Sequence, residues 1–143
     1  MNVAAILKAK GRAVATAKPD TSIVDIAAKL SSKRIGAIVI VGGNGKVEGI
    51  ISERDLVRAI AEAGDKALHA PVSEFMTRNV VPCQETTTLE ELMGVMTKGR
   101  FRHLPVIEDG TLAGIISIGD VVKHHVAEVE MEVTAMREYL ATG

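Results

Sequence analysis

Gly49-Ile50-Ile51-Ser52-Glu53-Arg54-Asp55 and Gly114-Ile115-Ile116-Ser117-Ile118-Gly119-Asp120 are two copies of one pattern, Gly-Ile-Ile-Ser-x-x-Asp, in a chain of 143 residues. The β-branched pair reads as the end of a buried strand. Ser-x-x-Asp reads as a capping box, in which hydroxyl and carboxylate satisfy the orphan N–H groups that open a helix. Working outward, residues 12–41 align with 78–107 at an offset of 66, and residues 46–57 with 111–122 at an offset of 65. Arg12/Arg78, Val14/Val80, Thr21/Thr87, Arg34/Arg100 and Asp55/Asp120 are identities under that alignment. The chain is a duplication.

Each unit repeats one order of elements. Ser22-x-x-Asp25 and Thr88-x-x-Glu91 are matched helix starts, followed by the apolar stripes Ile23, Ile26, Ala27, Leu30 and Leu89, Leu92, Met93, Met96 at helical spacing. Strands over 37–41 and 104–107 come next, then turns rich in Gly, Asn or Asp, then strands over 47–52 and 112–117. Further helices begin near Glu53 and Ile118, and short extended segments around 13–16 and 79–83 precede the first helices. The expected fold class is α/β (α+β): two β-α-β-β-α repeats packed as one module with pseudo-two-fold symmetry, because a unit of about 60 residues alone buries a marginal core. The expected divisions are a leader helix over 1–11, repeats over 12–64 and 78–125, a linker over 65–77 with a short helix at 72–76, and a last helix over 126–143. From 120 to 140 there is neither Gly nor Pro, and Val122, Val126, Val129, Val133, Met136 and Leu140 step by 4, 3, 4, 3 and 4. That heptad seam predicts packing on the chain's own sheet as far as about Val126 and homodimer contact beyond it.

Composition excludes several function classes. Seventeen Lys and Arg against 18 Asp and Glu give a net charge of −1, without the basic excess of a nucleic-acid binder. Phe75, Phe101 and Tyr139 are too few for a base-stacking platform. The longest apolar stretch, residues 35–41, has seven residues, against about 20 for a membrane span. The apolar run at 3–7 is too short for a secretory signal, and the single Cys83 forms no internal disulfide, so a cytoplasmic location is expected. Gly42-Gly43-Asn44-Gly45-Lys46 fails the P-loop pattern at Ile40 and Val47 and reads as a hairpin turn. His124 and His125, adjacent on a helix with no third ligand, give no metal site.

Chemistry gathers at the duplicated pattern. N–H groups at a helix start favour a phosphate, the Ser hydroxyl adds a donor, and an Asp one turn later accepts from a ribose diol. The same Ser and Asp also serve as caps, so a ligand-free helix start remains the alternative.

With Ile35-Gly36-Ala37-Ile38-Val39, Phe75-Met76-Thr77 and Arg100-Phe101-Arg102-His103-Leu104-Pro105-Val106-Ile107 added, residues 3–125 resemble a tandem pair of cystathionine β-synthase-type (CBS) domains, the Bateman module, as found in stand-alone bacterial CBS-pair proteins. The resemblance implies a two-pocket sensor of adenine-containing ligands: AMP first, with ADP, ATP, NAD(H) or S-adenosylmethionine in some members. It implies one pocket from Asp120 and Ser117 with Thr21 and the backbone of Ile35, Gly36 and Ala37. The other would join Asp55 and Ser52 to Thr87 and the Arg102, His103, Leu104 stretch. Arg100, Arg102, His103 and Arg54 are the implied phosphate contacts. Gly36-Ala37 facing Arg102-His103 makes the two pockets unequal. The expected function is regulatory and non-catalytic, since a CBS pair usually regulates a catalytic domain and only a leader and one helix lie outside the repeats. The rival is a ligand-free interaction module acting on a separate enzyme or transporter.

Overall fold

The computed structural model describes residues 1–142. Helix α1 (Val3–Lys10) is capped by Asn2 and followed by β1 (Thr16–Ala17), α2 (Ile23–Lys33), β2 (Ala37–Val41), β3 (Val47–Ser52) and α3 (Glu53–Ala63). Two 3-10 turns, Gly64–His69 and Val72–Glu74, lead to α4 (Leu89–Gly99), β4 (His103–Glu108), β5 (Thr111–Ser117) and α5 (Ile118–Thr142). The capping chemistry falls where the sequence puts it: Ser22 Oγ accepts from Asp25 N at 3.3 Å and Thr88 Oγ1 from Glu91 N at 3.1 Å. Both helices end alike, on Arg34 and Arg100 in left-handed conformation with φ of 54° and 56°.

In the first repeat β1 runs parallel to β2, and β2 antiparallel to β3. In the second, β4 and β5 form a two-stranded antiparallel sheet. The expected strand over 79–83 reduces to one residue, Cys83, bridging Val106 in parallel register. In the first repeat Val39 N donates to Ala15 O, but Pro105, at the position equivalent to Val39, has no N–H to donate to Val81 O and extend that ladder. At the other end, β1 lies later than the expected 13–16, and the linker helix stops at Glu74 rather than 76.

The apolar core is in two parts, and neither follows the repeats as contiguous sequence. Ile23, Ile26, Leu30, Ile38, Ile40 and Ile51 pack with Val72 and Met76 of the linker. The second core joins Leu89, Leu92, Met96, Leu104, Val106 and Ile116 to Val3, Ile6 and Leu7 of α1. The first helix of the chain thus completes the second repeat. The same backbone clasp holds both ends: Val3 N donates to Thr87 O and Leu89 N to Met1 O, as Val72 N donates to Thr21 O and Ile23 N to Ala70 O.

The seam on α5 faces the opposite way from the expectation up to Val126. Val121 is the buried residue of this helix, whereas Val122 and Val126 are 55% and 48% exposed. The inner side is Val121 with half-buried His124 and Glu128, and the Met1 ammonium lies 3.4 Å from Glu128. A two-stranded sheet offers little apolar surface, and Val121 is the one residue of α5 that joins its core among the described residues. Val129, Val133, Met136 and Leu140 are exposed as well.

Candidate functional site

Strand β3 delivers Ser52 to the start of α3, and the cap is reciprocal: Ser52 Oγ accepts from Asp55 N, and Asp55 Oδ2 accepts from Ser52 N at 2.9 Å. Its other oxygen, Oδ1, accepts from Arg58 Nη2 at 2.7 Å and from Thr77 Oγ1 at 3.4 Å. Asp55 is 5% exposed and is the one buried charged residue among the described residues. A buried carboxylate needs such a ring of donors to satisfy its oxygens.

Beside it opens a cavity of about 470 Å³ with walls from both repeats. Ile50, Ser52, Asp55 and Thr77 form one side, with Gly36 and Ala37 next to them. Arg100, Phe101, Arg102 and His103 form the other. The volume is that of a small-ligand site. Arg54, Arg100 and Arg102 have no ion-pair partner among the described residues, whereas Arg58 is held by Asp55. His103 lies over Gly36, where a Cβ would come within 3.4 Å of its ring. Burial and the Lys10 charge push the His103 imidazole below its ordinary pKa, against the opposing pull of Asp120 and Glu53.

Of the residues singled out in the sequence, Gly36, Ala37, Ser52, Arg54, Asp55, Arg100, Arg102 and His103 meet at this cavity. Thr21, Ile35, Thr87, Leu104, Ser117 and Asp120 do not line it. Gly36 and Ala37 share the cavity with Asp55 rather than standing apart with Asp120. Thr87, the expected partner of Asp55, instead holds the turn before α4, where its hydroxyl accepts from Gln84 N at 3.0 Å. Thr77 takes that place, because its backbone bridges Ile50 on β3 at 3.0 and 2.9 Å and swings the hydroxyl onto the carboxylate. Thr77 and Arg58, the two side chains that hold Asp55 Oδ1, were missed by the sequence reading. Phe75-Met76-Thr77 carried a signal for the first, and the i, i+3 spacing from Asp55 for the second.

At the second copy Ser117 N donates to Asp120 Oδ2 at 2.9 Å, and Asp120 N to Ser117 Oγ at 3.2 Å. Lys10 Nζ sits against the same carboxylate oxygen at 2.7 Å and donates also to Ile115 O at 2.8 Å. Burial opposes the charge on Asp120, but hydrogen bonds from Lys10 and Ser117 hold its carboxyl below the usual range. Among the described residues no group of three or more His, Cys, Asp or Glu is placed to hold a metal ion, and no helix is long and apolar enough to cross a membrane.

A duplicated βαββα unit, clasped end to end around a cleft with an Asp at each helix start, defines the class, and the CBS-domain profile matches residues 10–62 and 72–127. The chain belongs to the CBS-domain family. It is similar to the CBS-domain-containing protein ATU1752 from Agrobacterium tumefaciens, at 52% identity and a TM-score of 0.85 over 87% of this chain and 99% of that one. It resembles the CBS domain pair of protein MJ0100, solved in complex with 5′-methylthioadenosine and S-adenosyl-L-methionine, at 27% identity and a TM-score of 0.80 over 90% and 98% of the two chains. An uncharacterized 17.7 kDa protein of Acidianus ambivalens is 35% identical over 74% of this chain, which spans 63% of that protein's length.

Proposed function

We propose that this chain is a non-catalytic regulatory module that binds an adenine nucleotide in the Asp55 cavity. The observation that carries the reading is the pairing of a buried, donor-fixed carboxylate with three unpaired guanidinium groups across one cavity. Asp55 accepts from the ribose diol, exchanging the long 3.4 Å contact with Thr77 for a ligand hydroxyl. Arg54, Arg100 and Arg102 take the phosphate, with Ser52 at the helix start. The MJ0100 pair supports an adenosyl ligand, although its S-adenosyl-L-methionine carries a sulfonium cation. Unpaired arginines repel that cation and favour AMP, followed by ADP, ATP and NAD(H).

A ligand that touches both repeats shifts their relative placement by as much as its affinity differs between the two arrangements. We further propose that α5, with its outward stripe from Val122 to Leu140, pairs with a second copy and reports that shift. A reducing, cytoplasmic setting suits a chain whose one cysteine is free and buried.

Calorimetric titration with AMP, ATP, NADH and S-adenosylmethionine tests the ligand reading, with Asp55→Ala as the control. Binding of AMP that is lost in Asp55→Ala supports it. A folded protein that gives no heat with any of the four favours the interaction module, docking through α5. Sedimentation at micromolar concentration tests the pairing, and a monomer would refute it.

A further inference from the structure

The two ends of the clasp are not spaced alike. Met1, Asn2 and Val3 stand opposite Ala70, Pro71 and Val72, an offset of 69, whereas the repeats that follow run at 66. Helix α1 therefore carries three residues more than its counterpart before the repeat begins, close to one helical turn. That extra turn ends on Lys10.

In the first repeat the strand carbonyl of Ile50 is met by the backbone N–H of Thr77, and Asp55 by the Thr77 hydroxyl. Both are short groups, and Ile50, Ser52, Asp55 and Thr77 all face open space in the cavity. In the second repeat the equivalent carbonyl, Ile115 O, and the equivalent carboxylate, Asp120, are both served by one ammonium, Lys10 Nζ. Both groups, which in the other repeat are met by the short Thr77 beside open space, are thus held here by one ammonium. An adenosyl group entering there would have to displace a cation anchored at two points, one of them the carboxylate that its ribose needs. The Lys10 side chain is only 29% exposed.

We infer that Lys10 is a resident occupant of the second Ser-x-x-Asp site and that it makes this chain a one-ligand module, filled at Asp55 and closed at Asp120. The inference rests on the Asp55 reading for the ligand but on separate residues for the closure. Asymmetry between the repeats then arises from the length of the first helix.

The test is the number of AMP molecules bound per chain by wild type, Lys10→Ala and the double variant Lys10→Ala/Asp55→Ala. Lys10 is the last residue of α1, and alanine there keeps the helix. One AMP in wild type, two in Lys10→Ala and one in the double variant is the expected result. One in both wild type and Lys10→Ala overturns the closure and leaves the Asp55 site standing. Two in wild type overturns it as well. None in wild type but one in Lys10→Ala keeps the closure and refutes the Asp55 site, and none in either refutes both. Acetylation by acetic anhydride, read by peptide mass spectrometry, checks the contact without a nucleotide. Lys10 should react several-fold more slowly than Lys8, which has no ion pair among the described residues, and catch up in Asp120→Ala; equal rates in wild type overturn the inference.

Discussion

Alanine at Gly49 would place its Cβ 2.7 Å from Met76 Sδ, 2.9 Å from Met76 Cγ and 2.8 Å from the carbonyl oxygen of Thr77. That oxygen accepts from Ile50 N, and Thr77 N donates back to Ile50 O. The backbone at 76–77 must therefore withdraw from β3, and Met76, 7% exposed, has nowhere to turn. Overpacking of this kind costs about 1–3 kcal/mol, and two weakened hydrogen bonds add about 0.5–1.5 kcal/mol each. Removing a glycine returns about 0.4–1 kcal/mol through the unfolded chain. The net loss is about 1–6 kcal/mol, centred near 3 kcal/mol. At the equivalent Gly114 the new Cβ meets only the side chain of Leu7, Cδ2 at 2.7 Å and Cδ1 at 3.1 Å. Leu7 is itself 1% exposed, but no backbone atom stands in the way, so only side-chain ends must give, for about 1 kcal/mol. Thermal unfolding followed by far-UV circular dichroism, in a chain without tryptophan, should show Tm lower by about 5–15 °C for Gly49→Ala and by less than about 4 °C for Gly114→Ala. AMP binding should weaken only in Gly49→Ala, because the withdrawal takes the Thr77 hydroxyl off Asp55. Equal losses of stability, or a larger one at Gly114, would refute the reasoning.

The folded-state pKa of His103 lies below its unfolded value, so the unfolded chain binds the proton first, and stability is fully present above about pH 6.5 and lost as pH falls below it. The urea midpoint should drop between pH 7.5 and 5.5 and flatten over that window in His103→Gln; an unchanged slope in the variant removes His103 as the cause. Burial pushes the Cys83 thiol up to about 11, which leaves about one thiolate in a thousand at pH 8. Its reaction with a disulfide reagent should follow urea unfolding, and prompt reaction of the native protein would contradict that. Arg34→Gly and Arg100→Gly relieve the same left-handed conformation, worth about 1–2 kcal/mol, against about 0.4–1 kcal/mol of added freedom in the unfolded chain. Both should keep Tm within a few degrees, but Arg100→Gly alone should weaken AMP binding, since Arg100 lines the cavity and Arg34 does not. Equal binding by the two variants would take Arg100 out of the site.

Local chemistry made most of the fold legible. Ser22, Ser52 and Thr88 announce helix starts because a cap and its N–H lie within three residues, and β2 and β3 have the residues their β-branched pattern gives. Where the outcome depends on distant chain, the pattern misled. The most regular apolar spacing on α5 belongs to its outward side, because the inner contact there is made by Val121 beside polar His124 and Glu128. Thr87 matched the alignment, but Thr77 reaches Asp55 through a bridge from the linker to β3 that no spacing within either repeat encodes. Lys10 was invisible for the same reason: its partner Asp120 lies 110 residues away.

The dependence of the second core on α1 sets an order of events during synthesis. Val72 and Met76 follow Ile23 by 49 and 53 residues, so the first core is complete soon after the linker emerges. Leu7 waits 109 residues for Ile116, which at about 5–20 residues per second is about 5–22 s on the ribosome. Until Cys83, Leu89 and Leu92 emerge the face formed by Val3, Ile6 and Leu7 has no core partner within the chain, and until Ile116 its core is incomplete, beside a first repeat already closed. The nascent chain must keep one apolar helix free for most of its own translation, and this is the stage at which it is most open to capture by a chaperone or by another copy.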